Sequence, residues 1–243
     1  MSSASTRYTA RFQLPDLLER GADQIIWCPV YRSGALVAPT TGTVTVRSRT
    51  ATVVDAAAAT ISGSIARYTI PAASLPSTLS FETGWSVEWL LDMPDGETHR
   101  FRNGAALVRA RLYPTITDAD LIRRVRALDP SLTSVLTTQT HYQDQIDEAD
   151  VEVQLRLLAD DRRPNLIADP TSLRQVWLDL TIAIIFEDLA AHDNHYAEVA
   201  TMWRQRYGAA YDQATLLLDY DEDGQVDDPS TREPVRDAVI WTC

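Results

Sequence analysis

Near residue 115 the spacing of apolar residues changes from two to between three and four, so one class of secondary structure cannot serve both halves of the chain. Before that point side chains alternate in character. The pattern runs through Thr43-Val44-Thr45-Val46, Ile65-Ala66-Arg67-Tyr68-Thr69-Ile70, Trp85-Ser86-Val87-Glu88-Trp89-Leu90-Leu91 and Thr98-His99-Arg100-Phe101. Successive side chains of a strand point to opposite faces, so alternation predicts one buried face and one wet one. Turn formers occupy the gaps, among them Ser33-Gly34, Ser62-Gly63, Pro71 and Pro76. Met93-Pro94-Asp95-Gly96-Glu97, lying between two of the runs, predicts a hairpin. Short strands divided by turns predict a β-sandwich-like or small barrel domain. Ala56–Ala59 suits a helical turn or a loop equally well.

After Tyr113-Pro114 the helical period takes over. Thr117-Asp118-Ala119-Asp120 sets a capping threonine three residues before an acid and predicts a helix to Leu128, stopped by Asp129-Pro130. A second helix is expected from Thr138 to Asp160, carrying Tyr142, Ile146, Ala149, Val153 and Leu157 on one side. Asp169-Pro170 opens a third, whose stretch from Leu180 to Phe186 is apolar nearly all round and predicts the most buried helix. A fourth runs from Asn194 to Leu218. The predicted core of this part is Trp177, Ile184, Tyr196, Trp203, Tyr207 and Tyr211. Short connections predict a four-helix bundle with largely antiparallel neighbours. The expected fold class is α+β: a β-sandwich-like domain over residues 1–115, a helical bundle over 116–228 and a C-terminal arm over 229–243. At 243 residues the chain can bury two modest cores.

Charge divides at the same place. Residues 1–115 hold 11 Arg and 9 Asp plus Glu, a net of +2, whereas residues 116–243 hold 11 Arg and 25 Asp plus Glu, a net of −14. A half this acidic repels phosphates, which argues against nucleic-acid binding. No apolar run reaches the roughly 18 residues a membrane span needs. The N-terminal stretch lacks the apolar core of a secretory signal, so synthesis and retention in a cytoplasm are expected. Two cysteines, Cys28 and Cys243, exclude a cysteine-based zinc cluster, and Cys28 is expected to be buried within Ile25-Ile26-Trp27-Cys28.

The sharpest candidate site is Asp219-Tyr220-Asp221-Glu222-Asp223-Gly224-Gln225-Val226-Asp227. Acids at the first, third and fifth positions, glycine at the sixth and an acid at the ninth match the opening of a calcium loop, with Asp219, Asp221, Asp223 and Asp227 as ligands. Ser230 stands where the closing bidentate acid belongs, so a solvated acidic turn accounts for the same residues. His192 and His195 suit an interhelix turn better than a metal pair. Glu88 and Asp92, four apart on a strand, mark a solvent side. Trp203, Tyr207 and Tyr211 could stack bases, but without a basic cluster they read as core. No phosphate-binding glycine loop, nucleophile elbow or His-Glu-x-x-His motif is present, and a non-enzymatic protein is expected. The apolar Val239, Ile240 and Trp241 follow a charged stretch and predict an assembly arm.

Three features together carry a resemblance: the Thr117–Leu121 entry after Tyr113-Pro114, the last helix with Tyr196, Trp203, Tyr207 and Tyr211, and its exit into Leu218–Gly224. Residues 115–228 resemble the head-to-tail adaptor (connector) proteins of the neck of tailed bacteriophages. The resemblance implies a virion protein made in the bacterial host cytoplasm, forming a homo-oligomeric ring of about a dozen copies with closed symmetry. Its partners would be the portal protein and tail-proximal neck or tail proteins, with DNA passing through without specific binding; the residues themselves call for no cofactor apart from calcium at the acidic loop. The N-terminal half departs from the helical adaptors, either as an added decoration domain facing outwards or as a separate module that docks tail or fibre proteins. The alternative is a calcium-binding interaction module whose β half binds a receptor or carbohydrate.

Overall fold

The computed structural model describes residues 7–132, 139–223 and 225–227. The chain is mixed α+β and divides between Arg111 and Leu112 into two compact units. The expected boundary lay four residues later. Leu112 and Ile116 belong to the core of the helical unit, which draws the division forward.

The first unit contains β1 (Tyr8–Ala10), β2 (Asp16–Glu19), β3 (Gln24–Cys28), β4 (Val30–Arg32), β5 (Ala35–Leu36), β6 (Thr41–Arg47), β7 (Thr52–Ala58), β8 (Thr60–Ser62), β9 (Ile65–Ile70), β10 (Glu82–Asp92) and β11 (Thr98–Val108). They form a five-stranded sheet in the order β2-β11-β10-β6-β7 and two three-stranded sheets, β3-β9-β8 and β1-β4-β5. The pairs are antiparallel except β2 with β11. Alternation explains the core directly: Val44 and Val46 of β6 and Val87, Trp89 and Leu91 of β10 are fully buried. The Met93–Glu97 segment closes the β10–β11 hairpin, with Gly96 at φ +83°. Gly42 faces Leu91 across β6 and β10, and a Cβ there would meet the Leu90 carbonyl at 2.9 Å. The Ala56–Ala59 ambiguity resolves as strand through Ala58. Pairing with β6 overrides alanine's helical preference, and Ala56 sits at φ +43° with its N–H donating to Thr45 Oγ1 at 3.2 Å.

The second unit contains α1 (Asp118–Arg124), α2 (Gln143–Ala159), α3 (Arg174–His192) and α4 (Ala197–Gln213). Thr117 and Asp120 close a capping box at the start of α1. The helix ends at Arg124 rather than Leu128, because Val125 turns extended and a short 3-10 turn swings Leu128 into the core. α2 starts five residues later than its expected Thr138. Tyr142 is held outside the helix, fully buried, with its N–H on Asp118 Oδ1 and its hydroxyl donating to Leu128 O, both at 3.0 Å. Asp169 accepts the Thr171 N–H, so Pro170 begins a 3-10 turn and α3 follows from Arg174. From Leu180 to Phe186 every residue of α3 is buried. α4 is shorter at both ends than its predicted Asn194–Leu218 span. Asn194–Tyr196 form a 3-10 turn, and the chain leaves the helix at Ala214 because Leu218 pairs with Ile167. Trp177, Ile184, Trp203, Tyr207 and Tyr211 are buried, whereas Tyr196 is partly buried, its ring 6.1 Å from Phe186. Val239, Ile240 and Trp241 lie outside the described residues, and no described helix is long and apolar enough to cross a membrane.

Limited proteolysis between Arg111 and Thr117 should release two fragments, each with its own cooperative unfolding transition. Fragments that fail to refold separately would show that the division does not mark independent folding units.

Candidate functional site

The acidic segment is positioned by backbone pairing behind α4. Ala168 N–H donates to Leu217 O at 2.8 Å, Asp219 N–H to Leu166 O at 2.7 Å, and Asp227 N–H to Leu218 O at 2.9 Å. Asp219 is thereby drawn in to 5% exposure. Its Oδ1 accepts the Asp223 N–H at 3.0 Å, while Asp227 Oδ2 accepts the Tyr220 N–H at 2.6 Å. Asn165 Nδ2 donates to Glu222 Oε1 at 2.9 Å and ties the loop to the turn before α3. One carboxylate oxygen from each of Asp219, Asp221 and Asp227 lies within 4.8 Å of the others. Asp223 does not join them: its carboxylate accepts the Gln225 N–H at 2.7 Å. The predicted four-ligand set is therefore a group of three. Each carboxylate offers several lone pairs, so closing the loop does not exhaust its capacity for a hard cation.

The remaining candidates separate. His192 and His195 are exposed, and Asp193 between them accepts the His195 N–H at 3.0 Å as a local cap. Glu88 pairs with Arg100 at 3.7 Å. Asp92 accepts both Thr41 Oγ1 and Thr98 Oγ1 at 2.6 Å, and these bonds hold its carboxyl below the usual range. Cys28 is buried, and burial pushes its thiol up to about 12, with the Asp16 charge adding to the rise. Among the described residues no other trio of His, Cys, Asp or Glu brings its ligand atoms together.

Trp203, Tyr207 and Tyr211 turn inward rather than presenting a stacking platform, and arginines close over them. The Arg206 and Arg124 guanidinium carbons lie 4.4 and 5.7 Å from the Trp203 ring centroid, and that of Arg156 lies 3.8 Å from Tyr211. Tyr211 donates to Asp160 Oδ2 at 2.8 Å, and burial raises its hydroxyl well above the ordinary tyrosine range. Arg204 grips Glu187 of α3 bidentately, at 2.6 and 2.8 Å, and also Glu152 of α2. Those bonds, Glu187's first, raise its already high pKa. Three helices are thus joined through one side chain, an arrangement that spacing along the sequence does not signal.

The helical unit also encloses Asp150, which burial pushes up to about 6 against the lowering effect of Gln154 and Trp177. The folded state keeps this proton between about pH 4 and 6, where the unfolded chain has lost it. Stability therefore falls as pH rises through that window and stays lower above it. Asp150→Asn should remove this loss. Urea unfolding at pH 8 should show a gain of about 1–2 kcal/mol, discounted for partial exposure, with no gain at pH 4. Equal effects at the two pH values would mean that Asp150 titrates as an ordinary carboxyl.

No family model matches this chain, and no curated protein matches it. Among solved structures, the crystal structure of an engineered protein aligns with a TM-score of 0.30 and 16% identity, covering 44% of this chain and 21% of that one. The chain spans about a fifth of that protein's length, and a likeness this loose carries no argument.

Proposed function

We propose that the chain is a structural, non-enzymatic assembly protein that forms a homo-oligomeric ring in the neck of a tailed phage, between portal and tail. On this reading the β unit is a sandwich-like module carried by an adaptor-like four-helix bundle. The protein is made in the host cytoplasm and works in the virion. The observation that carries the reading is the acidic helical half, with 25 carboxylates against 11 arginines. A conduit with negative walls lets DNA slide without sticking. Helix order lends further support, with a capping-box entry directly after Tyr113-Pro114 and a buried α3 packed by α2 and α4. The test is the mass of the full chain, alone and with portal protein, by native mass spectrometry. A discrete assembly of about a dozen copies with closed symmetry supports the reading. A monomer under both conditions overturns it.

The convergence of Asp219, Asp221 and Asp227 favours one second reading, a calcium-binding interaction module. Calorimetric titration of the full chain with calcium tests it: saturable heat that Asp227→Asn abolishes supports the module, and a flat titration removes it.

A further inference from the structure

Four arginines of the helical unit have carboxylate partners: Arg123 and Arg174 on Asp120, Arg156 on Asp212, and Arg204 on Glu152 and Glu187. Arg124 and Arg206 have none among the described residues. They lie over the ring of Trp203, both exposed, in a unit whose net charge is strongly negative. Beside Arg206 on the outer face of α4 stands Met202, 45% exposed, with Glu198 one turn before it. The outer face of α2 carries the opposite arrangement. Asp144, Glu148, Val151 and Leu155 follow one another at i, i+4, i+7 and i+11, which is one stripe of a helix. Asp144 and Glu148 are exposed and have no cation partner among the described residues, and Leu155 is 46% exposed.

We infer that the outer face of α4, with Arg206 and Met202, together with Arg124 from the end of α1 beside it, docks on the outer face of α2 of a second copy of this chain, with Asp144, Glu148 and Leu155. The inference rests on the ring reading above and names the contact from which such a ring would be built. Charge complementarity selects the occupant: among the described residues Arg124 and Arg206 lack carboxylate partners on one surface, and Asp144 and Glu148 lack cation partners on the other, with Glu198 the one acid on the basic side. Geometry agrees. With the helices antiparallel, Arg206 lies four residues and about 6 Å beyond Met202, and Glu148 lies three residues and about 4.5 Å beyond Val151. Met202 then meets Val151 and Leu155 while Arg206 reaches Glu148. α2 and α4 both pack on α3 within one copy, so their outer faces are different surfaces. The contact is therefore heterologous, and it propagates from copy to copy until a rotation closes it into a ring. The charges supply register and exclude the wrong pairing, and the apolar pair supplies the dry centre.

Two charge-reversed variants test this, R124E/R206E on one face and D144R/E148R on the other, with mass read by light scattering and folding checked by circular dichroism. Each variant alone should associate at least about 100-fold more weakly than the unmodified chain, because like charges then face one another. An equimolar mixture should reassemble, since every alternating junction is again complementary. If R124E/R206E loses its fold because Trp203 loses its cover, D144R/E148R decides alone, as its two positions are exposed. Unmodified assembly mass in both variants leaves the ring reading intact and overturns this contact. Two monomeric variants that do not reassemble on mixing also overturn it. An unmodified chain that stays monomeric even with portal protein removes the ring reading, and this contact with it.

Discussion

Trp177→Ala should lower the stability of the helical unit by about 3–5 kcal/mol and leave the unfolding of the β unit unchanged. Trp177 lies in α3 and is fully buried, within the same core as Leu121, Leu128, Tyr142 and Val153. Its indole N–H faces the Asp150 carboxyl and lowers its pKa, so truncation removes the ring together with that polar contact. The cost is then lost burial plus a cavity that a helix buried from Leu180 to Phe186 has little room to collapse into. Calorimetry of the full chain should show one transition shifted downward and one in place. A loss below about 1 kcal/mol would mean that neighbouring side chains close the gap.

The matching experiment in the β unit is Trp89→Ala, with an expected loss of about 3–5 kcal/mol confined to the other transition. Trp89 lies in β10, a strand paired on both sides, opposite Phe101 of β11 and Val44 of β6. It is fully buried, as are Val87 and Leu91, the residues two positions away on the same face. Removing it empties the middle of the five-stranded sheet, where cross-strand pairs do most to hold register. If each substitution lowered both transitions equally, the two units would unfold as one, and the division at Arg111 would have no thermodynamic counterpart.

Much of this architecture is legible in the sequence where one residue makes one local contact. Thr117 and Asp120 announce α1 because a capping box needs only those two side chains. The alternation from Trp85 to Leu91 yields the face of β10 without knowledge of its partners. Elements set by distant pairing are not legible. β2 is four residues long and pairs in parallel with the end of β11, nearly ninety positions away, so no local period marks it. α4 carries a helical stripe through Leu218 but stops at Gln213, because the backbone of 217–219 finds partners at 166–168. The candidate site shows the same limit. Its acids are evident in order along the chain, yet their order does not tell that Asp219, Asp221 and Asp227 converge while Asp223 turns to the Gln225 N–H. The Arg204 junction joins residues from three helices and has no signature in any one of them.

The backbone pairing behind α4 has a mechanical consequence. Tension drawn through the chain beyond Asp227 reaches the Asp227–Leu218, Asp219–Leu166 and Ala168–Leu217 hydrogen bonds before it reaches the last turn of α4. The bridge anchors that stretch to the 164–168 segment instead of to the helix end, so a pull is delivered to the connection between α2 and α3. α4 is thereby shielded from unravelling under load, and the force needed to free the segment is set by a few short bonds that can re-form when the tension is released.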